Sequence, residues 1–274
     1  MIQRFLRFPG GKAKALTFSY DDGVFEDIRL IEIFRKYGMK GTFNLNSGMF
    51  GVVGTKHRRL TVEEALLVYT EDVCEVACHG ADHAYLTVCD TVSACSEVID
   101  DRKNLEKIFG RQIHGMAYAY GGYNDTVVDI LNNAGIYYSR TTGSTKKFNV
   151  TNDWLRLPVT CHHKNPELME LADKFLNFDP DMDPKLFYVW GHAYEFDDKD
   201  NWYVIEDFCK KMAHHDDIWY ATNIELYYAW LDYQRLENSA DGKHIFNPSV
   251  RSVWIGDKHG NCWEIKPGET LTFE

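Results

Sequence analysis

Ala15-Leu16-Thr17-Phe18-Ser19-Tyr20-Asp21-Asp22-Gly23 carries an apolar-rich run into two adjacent carboxylates and a glycine. The run has the length and composition of a buried strand, and Gly23 permits a sharp turn at its end. A helical pattern follows at once. Ile28, Ile31 and Phe34 recur at spacing three, Leu30 and Ile33 widen the stripe, and Gly38 stops it. Strand, polar turn and helix together make the unit of an α/β fold. Two like charges at a strand end resist joint ionisation unless a cation offsets them. The pair suggests two jobs, one carboxylate for a metal ion and the other for a proton. A solvated Asp-Asp-Gly turn is the alternative.

The unit repeats along the chain. Strand candidates lie at 15–20, 41–46, 73–78, 113–119, 136–140, 155–160, 186–191 and 217–222. Several are continuous apolar runs, as expected of parallel strands buried on both faces. Helical patterns lie between them, one opened by the capping box Thr61-Val62-Glu63-Glu64. No Gly-x-Gly-x-x-Gly loop occurs. The pattern therefore predicts an α/β fold, a (β/α) barrel of seven or eight parallel strands, complete or distorted, over residues 1–240. Residues 241–274 differ: Ser252-Val253-Trp254-Ile255 and Cys262-Trp263-Glu264-Ile265 alternate, with turns between and after them. That predicts a small β-rich extension.

Bulk composition sets limits on partners. The 274 residues carry a formal charge of −11, which argues against nucleic acid or an anionic membrane surface as partner. No apolar run reaches the length of a transmembrane helix, about 18 residues, and none near the start matches a signal peptide. The expectation is a cytoplasmic protein, or a secreted one lacking its leader. Seven cysteines without a Cys-x-x-Cys pair read as reduced thiols. A homo-oligomer is left open.

In a parallel barrel the strand C-termini share one mouth, where active sites sit. The first strand brings Asp21 and Asp22 there. The third brings His79 and His83, from His79-Gly80-Ala81-Asp82-His83. The fourth brings Tyr120-Gly121-Gly122-Tyr123-Asn124, and the seventh His192, Tyr194 and Glu195. Two His at i and i+4 lie on one face of a helical turn and, with one Asp, leave an open metal position for water. Cys161-His162-His163 reads as structural or solvated, because neighbouring strand residues point opposite ways.

These stretches resemble the motifs of the polysaccharide deacetylases with the NodB homology domain, carbohydrate esterase family 4. Thr17-Phe18-Ser19-Tyr20-Asp21-Asp22-Gly23 is similar to the family's Thr-Phe-Asp-Asp-Gly motif with two residues inserted. His79 to His83 is similar to its His-x-x-x-His motif, and Tyr120 to Asn124 to the end of its Arg-x-Pro-Tyr-Gly motif. Trp190-Gly191-His192 stands where the family has Leu-x-His. The resemblance spans residues 15–222 and implies that Asp22, His79 and His83 bind a divalent metal, usually zinc. It further implies Asp21 as general base, the backbone N–H of Tyr120 as an oxyanion donor and His192 as general acid. The chain departs from the family at Ala117, where the motif carries an arginine that orients the base. Arg156 is the candidate replacement, and Trp190 is expected to pack in the core.

The expected function is a metal-dependent hydrolase removing acetyl groups from an N- or O-acetylated carbohydrate. Tyr123, Trp154 and Tyr194 offer flat faces to the sugar. One alternative keeps the site and opens a cyclic amide or ureide such as allantoin. Another is a non-catalytic carbohydrate-binding protein that retains the metal site.

Overall fold

The computed structural model describes residues 3–179 and 182–274; residues 1–2 and 180–181 of the predicted 1–240 domain lie outside the described residues. The strands are β1 (Arg4–Arg7), β2 (Lys14–Asp21), β3 (Gly41–Leu45), β4 (Cys74–Cys78), β5 (Gly115–Ala117), β6 (Tyr138–Ser144), β7 (Leu157–Val159), β8 (Cys161–His162), β9 (Lys185–Gly191) and β10 (Ile218–Tyr220). Between and after them run α1 (Asp27–Tyr37), α2 (Val62–Val68), α3 (Thr91–Phe109), α4 (Asp125–Asn133), α5 (Leu168–Leu176), α6 (Tyr194–Lys199), α7 (Tyr203–Met212) and α8 (Asn223–Gln234). The central sheet is parallel, in the order β7-β6-β5-β4-β3-β2-β9-β8. Among the described residues, β10 pairs only with Lys14–Leu16 at the start of β2.

β7 and β8 are two halves of one run. Leu157 and Val159 pair with β6, whereas Cys161 and His162 pair with β9. Thr160 stands between them and donates its N–H to the Tyr188 carbonyl at 2.9 Å. The two ends of the sheet therefore meet in residues 157–162, the seam of a distorted barrel. All eight predicted strands form. α6 was not anticipated, nor was the break in 155–160.

Local signals end the helices where the sequence places them. Gly38 closes α1 at φ 67°, a left-handed conformation that a Cβ disfavours. Thr61 and Glu64 form the capping box of α2. Among the described residues, no helix is long and apolar enough to cross a membrane.

Alternation sorts β2 into two faces. Leu16, Phe18 and Tyr20 point outward into a core shared with the helices, where the Phe18 ring lies 4.6 Å from Phe34 of α1. The inward set, Thr17, Ser19 and Asp21, is polar and fully buried. That departs from the reading of this run as apolar on both faces. The inward side chains bond to one another. Glu75 of β4 accepts from Thr42 (2.8 Å), Tyr138 (2.6 Å) and the N–H of Ile224 at the start of α8 (2.9 Å).

Burial pushes the Glu75 carboxyl up to about 7, against those three donors. An acid held above its unfolded value of 4.5 adds stability below that value and loses it as pH rises through about 7. Glu75→Gln can turn its amide nitrogen to the Tyr138 hydroxyl and keep all three contacts. We expect its Tm to fall less than that of the wild type between pH 5.5 and pH 8, conditions that bracket the folded value of about 7. Parallel declines would show that Glu75 is not the source.

The C-terminal residues form β11 (Glu237–Asn238), β12 (His244–Phe246), β13 (Val253–Asp257), β14 (Cys262–Ile265) and β15 (Thr270–Thr272). β13 lies antiparallel between β14 and β1, and β12 between β11 and β15. The hairpin predicted from the alternation is β13–β14. It also recruits the first strand of the chain.

Candidate active site

Asp21, the last residue of β2, points into the barrel, and Asp22 follows at φ 86° with its carboxylate 3.5 Å from His83 Nε2. This left-handed conformation is uncommon for a residue with a side chain and occurs where surrounding structure enforces it. The Asp22 N–H donates to the Asn44 carbonyl at 3.0 Å, and Arg59 holds the Asp22 carbonyl.

His79 follows β4 and His83 follows four residues later, in a loop rather than the helical turn expected from the spacing. Gly80 (φ 84°) and His83 (φ 59°) bend that loop so that the two rings meet. Two carboxylates one turn apart on α3 hold it from behind. Asp101 accepts the N–H of His79 at 2.9 Å, and Glu97 accepts those of Asp82 (2.8 Å) and Ala84 (2.9 Å).

His79 Nδ1–H donates to the Ala117 carbonyl at 2.8 Å, which leaves Nε2 with its lone pair facing the mouth. His83 Nε2 lies 3.2 Å from His79 Nε2 and 3.5 Å from Asp22 Oδ1. One donor atom from each of Asp22, His79 and His83 falls within 4.8 Å of the others. Burial and the neighbouring imidazole lower His83 to about 4, so its ring is neutral. Asp22 Oδ1 is buried with no hydrogen-bond partner among the described residues, and Arg59 Nη1 forms an ion pair with it at 3.0 Å. Two imidazole nitrogens and a buried carboxylate oxygen at these separations fit a divalent cation such as zinc.

A guanidinium does reach Asp21, though not from residue 117. Arg140 of β6, fully buried, donates Nη2 to Asp21 Oδ1 at 2.6 Å. It stands directly across from Ala117 in the β5–β6 register. The guanidinium has moved to the neighbouring strand and reaches the same end of the barrel. Burial alone would raise the Asp21 carboxyl, but Arg140, with His79 and His192, outweighs it and holds the group down at about 2. Arg156, the candidate replacement, instead pairs with Asp125 (2.7 Å) and Asp153 (3.2 Å) at the surface. Trp190 is half-buried, with the Arg140 guanidinium 4.4 Å over its ring.

His192 follows β9 and closes the other side. Its Nε2 lies 3.9 Å from Asp21 Oδ2 and 4.0 Å from Asp22 Oδ2. Its Nδ1 faces Glu195 Oε1 at 3.7 Å. Burial lowers this imidazole, but Glu195, Asp21 and Asp22 together outweigh that and raise it. Glu195 in turn lies 3.2 Å from His162 Nε2, 3.1 Å from His163 Nε2 and 2.5 Å from Lys164 Nζ. Burial works against the carboxylate here, yet these neighbours hold it well below the usual range. Both histidines thus face one carboxylate, contrary to the expectation that they diverge.

His162, His163 and Glu195 form a second group with metal-like spacing. The tautomer argues against a cation there. The Lys164 N–H donates to His162 Nδ1 at 3.0 Å, so a neutral ring carries its proton on Nε2, toward Glu195. The group acts as a clamp that fixes Glu195 beneath His192. Gly191 admits the His163 ring, which occupies the space a Cβ would need.

Of the expected sugar-facing aromatics, Tyr194 lies at the mouth, with ring centroids 4.9 Å from His57 and 5.2 Å from His192. Tyr123 is 41% exposed and stacks on Tyr118. Trp154 is 4% exposed and packs against Tyr227 and Trp230, so it presents no open face. Tyr120 sits at φ 56°, edge-on to His83 with centroids 4.5 Å apart.

Arg140, Asp101, Glu97 and Arg59 were not singled out from sequence; Glu195 was placed at the mouth, but its contacts with His162 and His163 were not. A lone arginine closing the otherwise uncharged run Ile136-Tyr137-Tyr138-Ser139-Arg140 was the available signal for the first.

Residues 9–139 match the polysaccharide deacetylase family, the family to which the motifs point. Among solved structures, a putative polysaccharide deacetylase from Mycobacterium smegmatis is 17% identical with a TM-score of 0.63, covering 84% of this chain and 94% of that one. A family 4 carbohydrate esterase from Streptomyces lividans, in complex with acetate, is 12% identical with a TM-score of 0.50, covering 73% and 88%. These two likenesses identify the fold. The Streptococcus pyogenes deacetylase PplD, in complex with acetate, is 22% identical with a TM-score of 0.46, and the match covers 52% of this chain and 62% of that one. No curated protein matches the chain.

Proposed function

We propose, from this family match together with the site, that the chain is a metal-dependent hydrolase that removes acetyl groups from an N- or O-acetylated carbohydrate. The observation that carries the proposal is the approach of Asp22, His79 and His83 donor atoms within 4.8 Å beside a separate, arginine-held carboxylate. Residues 1–240 would form the catalytic unit, with 241–274 as an extension.

In this reading Asp22, His79 and His83 hold the cation, with zinc the ion proposed. When bound, it lowers the pKa of a water and polarises the acetyl carbonyl. Asp21 takes the water's proton on Oδ2, the oxygen that faces His192, while Asn44 holds Oδ1 and Arg140 Nη2 bridges both oxygens at 2.6 and 2.5 Å. The backbone N–H of Tyr120 steadies the oxygen of the tetrahedral species. His192 gives its Nε2 proton to the leaving nitrogen or oxygen as the acyl bond breaks, and Glu195 steadies the charged ring from Nδ1. The products are acetate and the freed amine or alcohol. Tyr194 and Tyr123 would border the sugar.

Acetate release from acetylated chitooligosaccharides tests this. Chelator-stripped protein should be inactive, and one equivalent of zinc should restore turnover. Zinc-loaded protein that opens a cyclic ureide and leaves acetyl sugars intact would shift the reading to the cyclic-amide branch. Metal uptake without any turnover would leave the binding-protein alternative.

A further inference from the structure

Lys56-His57-Arg58-Arg59 is a basic run in a chain of formal charge −11, on the loop between β3 and α2. The first three residues are paired away from the metal triad. Lys56 bridges to Asp198 of α6, and His57 lies 2.6 Å from Glu26 and 3.1 Å from Asp198. Arg58 grips both oxygens of Glu64, at 2.6 and 2.7 Å. Arg59 turns the other way. Its Nη1 lies 3.0 Å from Asp22 Oδ1 and donates to the Asp22 carbonyl as well. Among the described residues, Asp22 is the one that its guanidinium bonds.

The backbone fixes this placement. The Leu60 N–H donates to the Gly23 carbonyl at 2.9 Å, the Phe25 N–H to the Arg58 carbonyl at 3.0 Å, and the Arg59 N–H to the Val52 carbonyl at 2.9 Å. Residues 58–60 therefore run beside the turn that follows Asp22, with Arg59 opposite Val24. The oxygen that Arg59 reaches is the one the triad offers. Asp22 Oδ1 lies 3.5 Å from His83 Nε2 and 4.0 Å from His79 Nε2. The Asp22 and Arg59 side chains are 10% and 16% exposed, so water screens the pair only in part. The two adjacent carboxylates after β2 thus have an arginine each, Arg140 for Asp21 and Arg59 for Asp22.

We propose that Arg59 is the resident counter-charge of the metal site, neutralising Asp22 in the metal-free protein and yielding Oδ1 when a divalent cation binds. This rests on the metal-dependent reading above. The bond from Nη1 to the Asp22 carbonyl does not use the ligand oxygen, so the guanidinium can keep it and hold the left-handed turn throughout. Two positive groups on one carboxylate oxygen repel each other. An arginine beside a carboxylate weakens its hold on a proton by about 10- to 1,000-fold, and a dication on the same oxygen meets the same field. Arg59 therefore sets zinc affinity below what two imidazoles and a free carboxylate would give. A purely positional role has the opposite sign, because losing Arg59 would slacken Asp22 and weaken metal binding.

The test measures zinc affinity of chelator-stripped wild type, Arg59→Met and Arg59→Lys by competition with a chromogenic chelator. Arg59→Met keeps the aliphatic stem without the charge and should bind zinc about tenfold more tightly, or better. Arg59→Lys keeps the charge and should stay within about threefold of wild type. Unchanged or weaker binding by Arg59→Met overturns the proposal. In the unmutated chain with isotope-labelled arginine, zinc should shift the Arg59 guanidinium resonance, assigned by its loss in Arg59→Lys. A resonance that zinc leaves in place counts equally against it. Zinc uptake by wild type that His79→Ala abolishes upholds the triad whatever Arg59 does, so a failed Arg59 result then falls on this inference alone. Uptake by Arg59→Met but not by wild type supports it, and uptake by neither overturns both readings.

Discussion

Asp21→Asn should lower kcat by about 10²–10⁴-fold, the span of a lost general base, while metal content stays at the wild-type level. The two side chains have the same shape, and the amide oxygen can still accept from Arg140, which now donates to Asp21 at 2.6 Å. What disappears is the carboxylate charge and the Oδ2 acceptor, the oxygen that Arg140 also bonds at 2.5 Å and that lies 3.9 Å from His192. Asp22, His79 and His83 do not include this residue, so elemental analysis should find the same metal stoichiometry. A variant that keeps both metal and wild-type rate would remove Asp21 from the chemistry. A variant that loses metal would show the two adjacent carboxylates acting as one ligand unit.

Arg140→Met should destabilise the fold by about 3–5 kcal/mol, the usual cost of stripping one partner from a buried ion pair. Arg140 is among the largest fully buried side chains, and Asp21 is 2% exposed, so water cannot readily replace the lost cation. Trp190 also loses the charge over its face. Denaturant titration gives the size of the loss, and a double-mutant cycle with Asp21→Asn isolates the pair. Adding Asp21→Asn to Arg140→Met should recover much of the lost stability, because no charge is then left stranded in the barrel. A loss in Arg140→Met that Asp21→Asn does not relieve would mean the arginine acts through packing alone. Turnover should fall with Arg140→Met, since the base loses the group that orients it.

Ala15–Tyr20 and the 73–78 segment were legible as strands because period and length agree with burial. The convergence of their end residues was legible because parallel strands deliver them to one mouth. Arg140 was not legible, because its role depends on strand register: Ala117 and Arg140 are neighbours only across the β5–β6 ladder. Trp154 misled because an aromatic residue beside an aspartate reads alike in a pocket and in a core. Here α8 covers it, with Tyr227 and Trp230 in contact. The clamp on Glu195 stayed hidden because its partners His162 and His163 arrive from a strand pair split at Thr160, a break no periodicity marks.

That break has a mechanical side. The six residues from Leu157 to His162 are the last stave of the ring, hooped to β6 by one half and to β9 by the other. The same stave ends in the imidazoles that grip Glu195 under His192. In the proposed mechanism that anchor belongs to the acid, so the wall of the vessel and the alignment of His192 share one joint.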